Sequence, residues 1–120
     1  MKEEYKKWGI RLLVVLFIIV VFTGIDYAVH FLSEDYAVPG YYFRNKIIFG
    51  TLIGFIAYFF IYKTKPAYRA LIFSGVIAAL LQIRYYLEGY PKEFVLELLL
   101  FHFLMLLPVS FVVFYYFKRL

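Results

Sequence analysis

The chain has 120 residues, 65% of them hydrophobic and 24% aromatic, with a mean hydropathy of +0.80 and a formal charge of +5. Soluble domains average roughly 45–50% apolar residues, so a chain this apolar lacks the polar surface for a water-facing domain, and a single membrane unit is expected over 1–120. The absence of cysteine excludes disulfides, thiolate catalysis and cysteine-bound zinc or iron–sulfur centres; the cations sit at segment ends rather than in one patch, which points to membrane anchoring and away from nucleic acid.

The first apolar run covers 10–22, and only Arg11 carries charge between Ile10 and Ile25. Extended to Val29 it reaches about the 20 residues a helix needs to cross ~30 Å of hydrocarbon. Lys2, Lys6 and Lys7 precede it as they would in a signal peptide. Its uncharged core is long, however, and no small-x-small cleavage pattern follows, so a retained helix is expected. Asp26 and His30 lie four apart at the far end of this run, on one helix face that Thr23 continues inward.

Three more apolar stretches follow, giving expected spans at 8–32, 43–62, 66–87 and 92–117. Val38-Pro39-Gly40, Lys65-Pro66 and Glu88-Gly89-Tyr90-Pro91 break the chain between them. The second connection allows only a tight helical hairpin, whereas the first, over about 33–42, is long enough to form a lid. Gly50 and Gly54 have the spacing that lets helix backbones approach closely, and Ala70, Ser74 and Ala78 recur every four residues. The expected seam is between the second and third helices, with a homodimer contact as its alternative. Pro108 should kink the fourth helix, with Ser110 placed to satisfy a freed carbonyl.

The fold class expected from this pattern is an all-α integral membrane protein, a four-helix transmembrane bundle. Nine cations (Lys2, Lys6, Lys7, Arg11, Lys63, Lys65, Arg69, Lys118 and Arg119) fall at one set of ends, against Arg44, Lys46, Arg84 and Lys92 at the other. The positive-inside rule then places both termini in the cytoplasm. Six of the eight acids, Asp26, Glu34, Asp35, Glu88, Glu93 and Glu97, fall on the outer side. Tyrosines at both levels, Tyr42 and Tyr85 among the outer ones, are expected to form interfacial belts.

At ~1.5 Å per residue, Asp26 lies roughly 27 Å from Trp8, Arg84 roughly 25 Å from Ala67 and His102 roughly 24 Å from Lys118. The three thus reach similar depth, just inside the outer interface, with His30 and Glu97 further out and Gln82 deeper. Ionisable groups at such depth are costly unless paired or facing a wet cavity. The candidate ligand-binding layer is Asp26, His30, Arg44, Lys46, Gln82, Arg84, Glu97 and His102. Within it Asp26, His30 and His102 form a candidate metal set, since imidazole and carboxylate suit zinc or iron. Each has a plainer reading: Arg84 pairs with Glu88, Gln82 bridges helices, and Glu97 is too far round its helix to share a face with His102.

No nucleotide loop, HExxH or GxSxG sequence is present. Three functions remain open. The first is binding or transport of a small anionic or lipid-like molecule in a polar outer-leaflet cavity, held by Arg44, Lys46 and Arg84, with Asp26 and His30 as partners. The second is a membrane-embedded metal-dependent or acid–base enzyme acting at the extracytoplasmic face, with a divalent metal as its cofactor. The third is a scaffold subunit of a membrane complex. Membrane lipid is the expected partner, with a homo-oligomer or a larger membrane complex beside it.

Overall fold

A computed structural model describes residues 2–119. Among them the chain forms four α-helices: α1 (Lys2–Val29), α2 (Tyr41–Ile61), α3 (Pro66–Leu87) and α4 (Lys92–Tyr116). A short 3-10 turn, Glu34–Tyr36, lies in the first connection. All four helices are long and apolar enough to cross a membrane.

The helix ends follow from local chemistry. α1 begins six residues before the span expected at 8. Its first turns hold only residues a helix tolerates, and Glu3 and Glu4 suit the positive end of its dipole. It also stops three residues short of 32, after which Ser33 takes the hydrogen bond from the Asp35 N–H at 3.2 Å and starts the 3-10 turn. α3 opens on Pro66, whose missing N–H costs nothing at a first helical position. It ends before Gly89, whose φ of 99° is the left-handed conformation that glycine adopts without strain. α4 runs without interruption through Pro108. Ser110 does not serve the fourth helix's own carbonyls as expected; its Oγ accepts from Ser74 Oγ on α3 at 3.3 Å.

Each helix packs against its chain neighbours, and α4 closes the ring against α1, in a body of 48 × 24 × 22 Å. The buried positions form one stripe per helix at three- and four-residue spacing. On α1 the stripe runs Arg11, Val15, Ile19, Phe22 and Asp26, and on α2 it runs Tyr42, Lys46, Gly50, Gly54 and Tyr58. On α4 it runs Leu98, His102, Leu106, Ser110 and Val113. The opposite faces expose Leu13, Phe17, Leu52, Phe60, Ile83, Leu104 and Val112. An apolar surface this continuous is what helices long and apolar enough to span a membrane present.

The small residues form the expected contact between α2 and α3 in part. A Cβ on Gly50 would first meet Ile19 of α1, and one on Gly54 would meet Val15 of α1 as well as Phe73 and Ile77 of α3. The row of Ala70, Ser74 and Ala78 lies in the core, where Ser74 bonds α4, and Gly75 lies nearest Phe103 of α4. The glycine spacing on α2 therefore seats α1 and α3 together, while the α3 row serves α4. The reason is geometric: in a four-membered ring each helix has two neighbours, so one small-residue face cannot be reserved for one partner.

Candidate functional site

The site lies at the end of the bundle that carries the first and third connections. Asp26 is in the last turns of α1, His30 just past its end, Lys46 in the second turn of α2, and His102 within α4. Asp26, Lys46 and His102 are 0% exposed and His30 is 4% exposed. The buried stripes of three helices thus each deliver an ionisable side chain to one point.

Asp26 is the centre. Lys46 Nζ donates to its Oδ2 in a close ion pair. His102 Nε2 lies 3.1 Å from Oδ1, and His30 Nε2 lies 3.2 Å from Oδ2. Lys46 Nζ also reaches Tyr42 Oη at 3.2 Å and His102 Nε2 at 2.9 Å. Aromatic rings close the surroundings: Phe22 stands edge-on to His102 at 5.2 Å, and Tyr42 lies against His30 at 4.8 Å. Tyr42 and Tyr85 stack at 4.6 Å. Lys46 Nζ lies 4.4 Å from the centre of the Tyr42 ring, where a buried cation is attracted to the π face.

The first connection completes the site. The Tyr36 carbonyl can only accept, so in the 2.5 Å contact His30 donates from Nδ1. The Tyr36 hydroxyl donates to Glu97 on α4 at 3.4 Å. Partial desolvation, and then the Glu97 charge, push the Tyr36 phenol above its ordinary pKa, so it stays a donor. Beneath this connection His30, Phe31, Ser33, Glu34, Ala37, Val38 and Phe43 line an open cleft of about 220 Å³. His30 belongs to both the cleft and the cluster.

Of the eight residues expected from sequence, four come together: Asp26, His30, Lys46 and His102. The other four stand elsewhere. Arg44 is exposed on the outside of α2. Arg84 pairs with Glu88 and lies 3.7 Å over the Phe49 ring. Gln82 is buried and bridges α3 to α4, its Nε2 donating to the Val95 carbonyl at 2.7 Å. Glu97 is exposed and meets only Tyr36 among the contacts described. The expected trio of Arg44, Lys46 and Arg84 therefore does not form one cradle for an anion. Similar depth is not similar direction: Arg44 and Arg84 are rotated out of the buried stripes. The expected tyrosine belt also loses two members, because Tyr42 and Tyr85 are 1% exposed and roof the cluster.

Tyr42 was legible as a site neighbour. It precedes Lys46, Gly50 and Gly54 in steps of four, so it shares their face. Asp26, His30 and His102 offer ligand atoms within 4.8 Å of one another.

Comparison with family models, with curated proteins and with solved structures finds no match to this chain. What the fold itself defines is an all-α protein of four helices, each long and apolar enough to span a membrane.

Proposed function

We propose that this chain crosses a cell membrane four times, with both termini cytoplasmic, and serves as a small binding or transport module with its site in the extracytoplasmic half of the bundle. The apolar outer faces and the nine-to-four division of cations support the topology. Lys2→Cys and Ser33→Cys test it, since the chain has no cysteine of its own. An impermeant thiol reagent should label the two from opposite sides; labelling of both from one side removes the four-span arrangement.

The observation that carries the functional reading is the Asp26 carboxylate, buried and held by three basic side chains. Burying charges costs several kcal/mol per ion, and apolar replacements of such pairs are often neutral or stabilising. A 120-residue bundle with ample apolar core has no need of this cluster for packing. Charged groups within spans mark ligand and ion pathways. On the connection side His30 also lines an open cleft.

The test is flux into proteoliposomes of purified protein, using protons, divalent cations and small carboxylates as solutes. At least one should move faster than in protein-free liposomes, and Asp26→Asn should abolish the gain. If no solute moves and none raises the melting temperature, the chain is a scaffold and the reading fails.

A further inference from the structure

We infer that the cluster is a binding site for a divalent first-row transition ion, with Asp26, His30 and His102 as its ligands and Lys46 as the tethered cation that holds the place when the ion is absent. The inference rests on the proposed binding or transport reading and names the class of its ligand.

Four observations carry it. The first is the His30 orientation. With Nδ1 donating to the Tyr36 carbonyl, His30 turns Nε2 inward, 3.2 Å from Asp26 Oδ2 and without a hydrogen bond of its own. A buried ring nitrogen left without a hydrogen bond beside a carboxylate is open to a cation. A ring N–H donated to a backbone carbonyl, with the other nitrogen aimed inward, is the orientation that metal-bound histidines adopt. The second is His102. Its Nε2 lies 3.1 Å from an acceptor, Asp26 Oδ1, and 2.9 Å from a donor, Lys46 Nζ. One nitrogen cannot donate to the first and accept from the second at once. A metal ion would engage the lone pair of Nε2 and the carboxylate together.

The third is size. Ligand atoms bound tetrahedrally at ~2.0–2.1 Å stand about 3.3 Å apart. Each histidine nitrogen stands near that distance from one Asp26 oxygen, His102 from Oδ1 at 3.1 Å and His30 from Oδ2 at 3.2 Å, and one ligand atom from each residue lies within 4.8 Å of the others. Two imidazoles with one carboxylate are the donor set of zinc and non-haem iron sites. The fourth is access. His30 is among the residues that line the open cleft, together with Ser33 and Glu34.

Lys46 fits this role rather than opposing it. Its ammonium balances Asp26 now, and the Tyr42 hydroxyl at 3.2 Å and the rings of Phe22, Tyr42 and Tyr85 at 4.4–5.7 Å give it a second resting place. An ion arriving at Asp26 would push it toward those rings.

The experiment is titration of the full-length, chelator-stripped protein in detergent with Zn²⁺ alone, followed by Co²⁺ and its visible absorption. The expected result is one Zn²⁺ per chain, and a Co²⁺ spectrum of low-symmetry nitrogen and oxygen ligation. His30→Ala and His102→Ala should each weaken Zn²⁺ binding by about 100-fold or more. Lys46→Met should tighten it, and Zn²⁺ should raise the melting temperature of that variant more than that of the unaltered chain. Should a histidine variant fail to fold, the stoichiometry and Co²⁺ spectrum of the unaltered chain decide. The inference is overturned by no stoichiometric Zn²⁺ uptake, or by uptake that folded His30→Ala and His102→Ala leave unchanged. Flux of another solute that Asp26→Asn abolishes, with no Zn²⁺ bound, would sink the metal and keep the binding reading. Zn²⁺ binding without flux would keep the metal and remove transport.

Discussion

The two ends of the bundle bury charge in different ways. At the end near the termini, Arg69 is 2% exposed, and its guanidinium donates to the carbonyls of Tyr62 and Thr64 at 2.7 and 2.8 Å and to the Tyr58 hydroxyl at 3.4 Å. Arg11 lies over the rings of Trp8 and Tyr62 at 4.3 and 4.4 Å. Arg69 thus caps the C-terminus of α2, where the last carbonyls lack intrahelical partners and a cation suits the dipole. At the other end Asp26, Lys46, His30 and His102 are held chiefly by one another. A buried charge answered by backbone is part of how a helix ends. Charges answered by other side chains can be exchanged for something else, and that is the property a ligand site needs.

This contrast breaks most easily at Lys46. Lys46→Met strands a carboxylate in a dry interior and should cost about 3–5 kcal/mol of unfolding free energy, read from denaturant titration in micelles. Arg69→Met removes charge-assisted bonds to two carbonyls and should cost about 1.5–3 kcal/mol. It should leave any ligand bound at the Asp26 end with unchanged affinity; a change there would mean the two ends are coupled and the contrast false. A control that loosens the bundle without touching charge is Gly54→Ala, whose Cβ would stand 2.9 Å from Val15 Cγ1 and 3.0 Å from Phe73 Cε2. Overpacking of this kind costs about 1–3 kcal/mol, and it too should spare ligand affinity. The smallest effect is expected at Tyr36→Phe. Its 3.4 Å bond to Glu97 is exposed to solvent, so stability should hardly change. Hydrogen exchange should nonetheless quicken in the first connection, because that bond ties it to α4.

Much of the fold was legible in the sequence, for a plain reason. Four apolar runs separated by proline and glycine leave few arrangements, and α3 starts and ends where its breakers place it. Helix boundaries at α1 were less legible, because Lys2 to Lys7 read as a charged flank although nothing in them ends a helix. The site was half legible. Asp26 with His30 follows from spacing alone, and His102 from its depth. Lys46 entered as one cation beside Arg44, yet the step of four from Lys46 to Gly50 and Gly54 already placed it inward. Depth along a helix says nothing about rotation around it, which is why Arg44 and Arg84 lie apart from the cluster. Tyr42 and Tyr85 were assigned to a belt by residue type, whereas their stripes put them in the core.

In a ligand site of this kind the charges at Asp26 balance one another and are carried by the bundle rather than holding it together. The most direct measurement is the unfolding free energy of the double variant Asp26→Asn with Lys46→Met, beside Lys46→Met alone. Removing both charges should recover about 2 kcal/mol or more of what the single variant loses, since the two groups share one network. A double variant no more stable than the sum of its parts would mean that Asp26 and Lys46 each brace the fold independently, and the cluster would then be architecture and not a site.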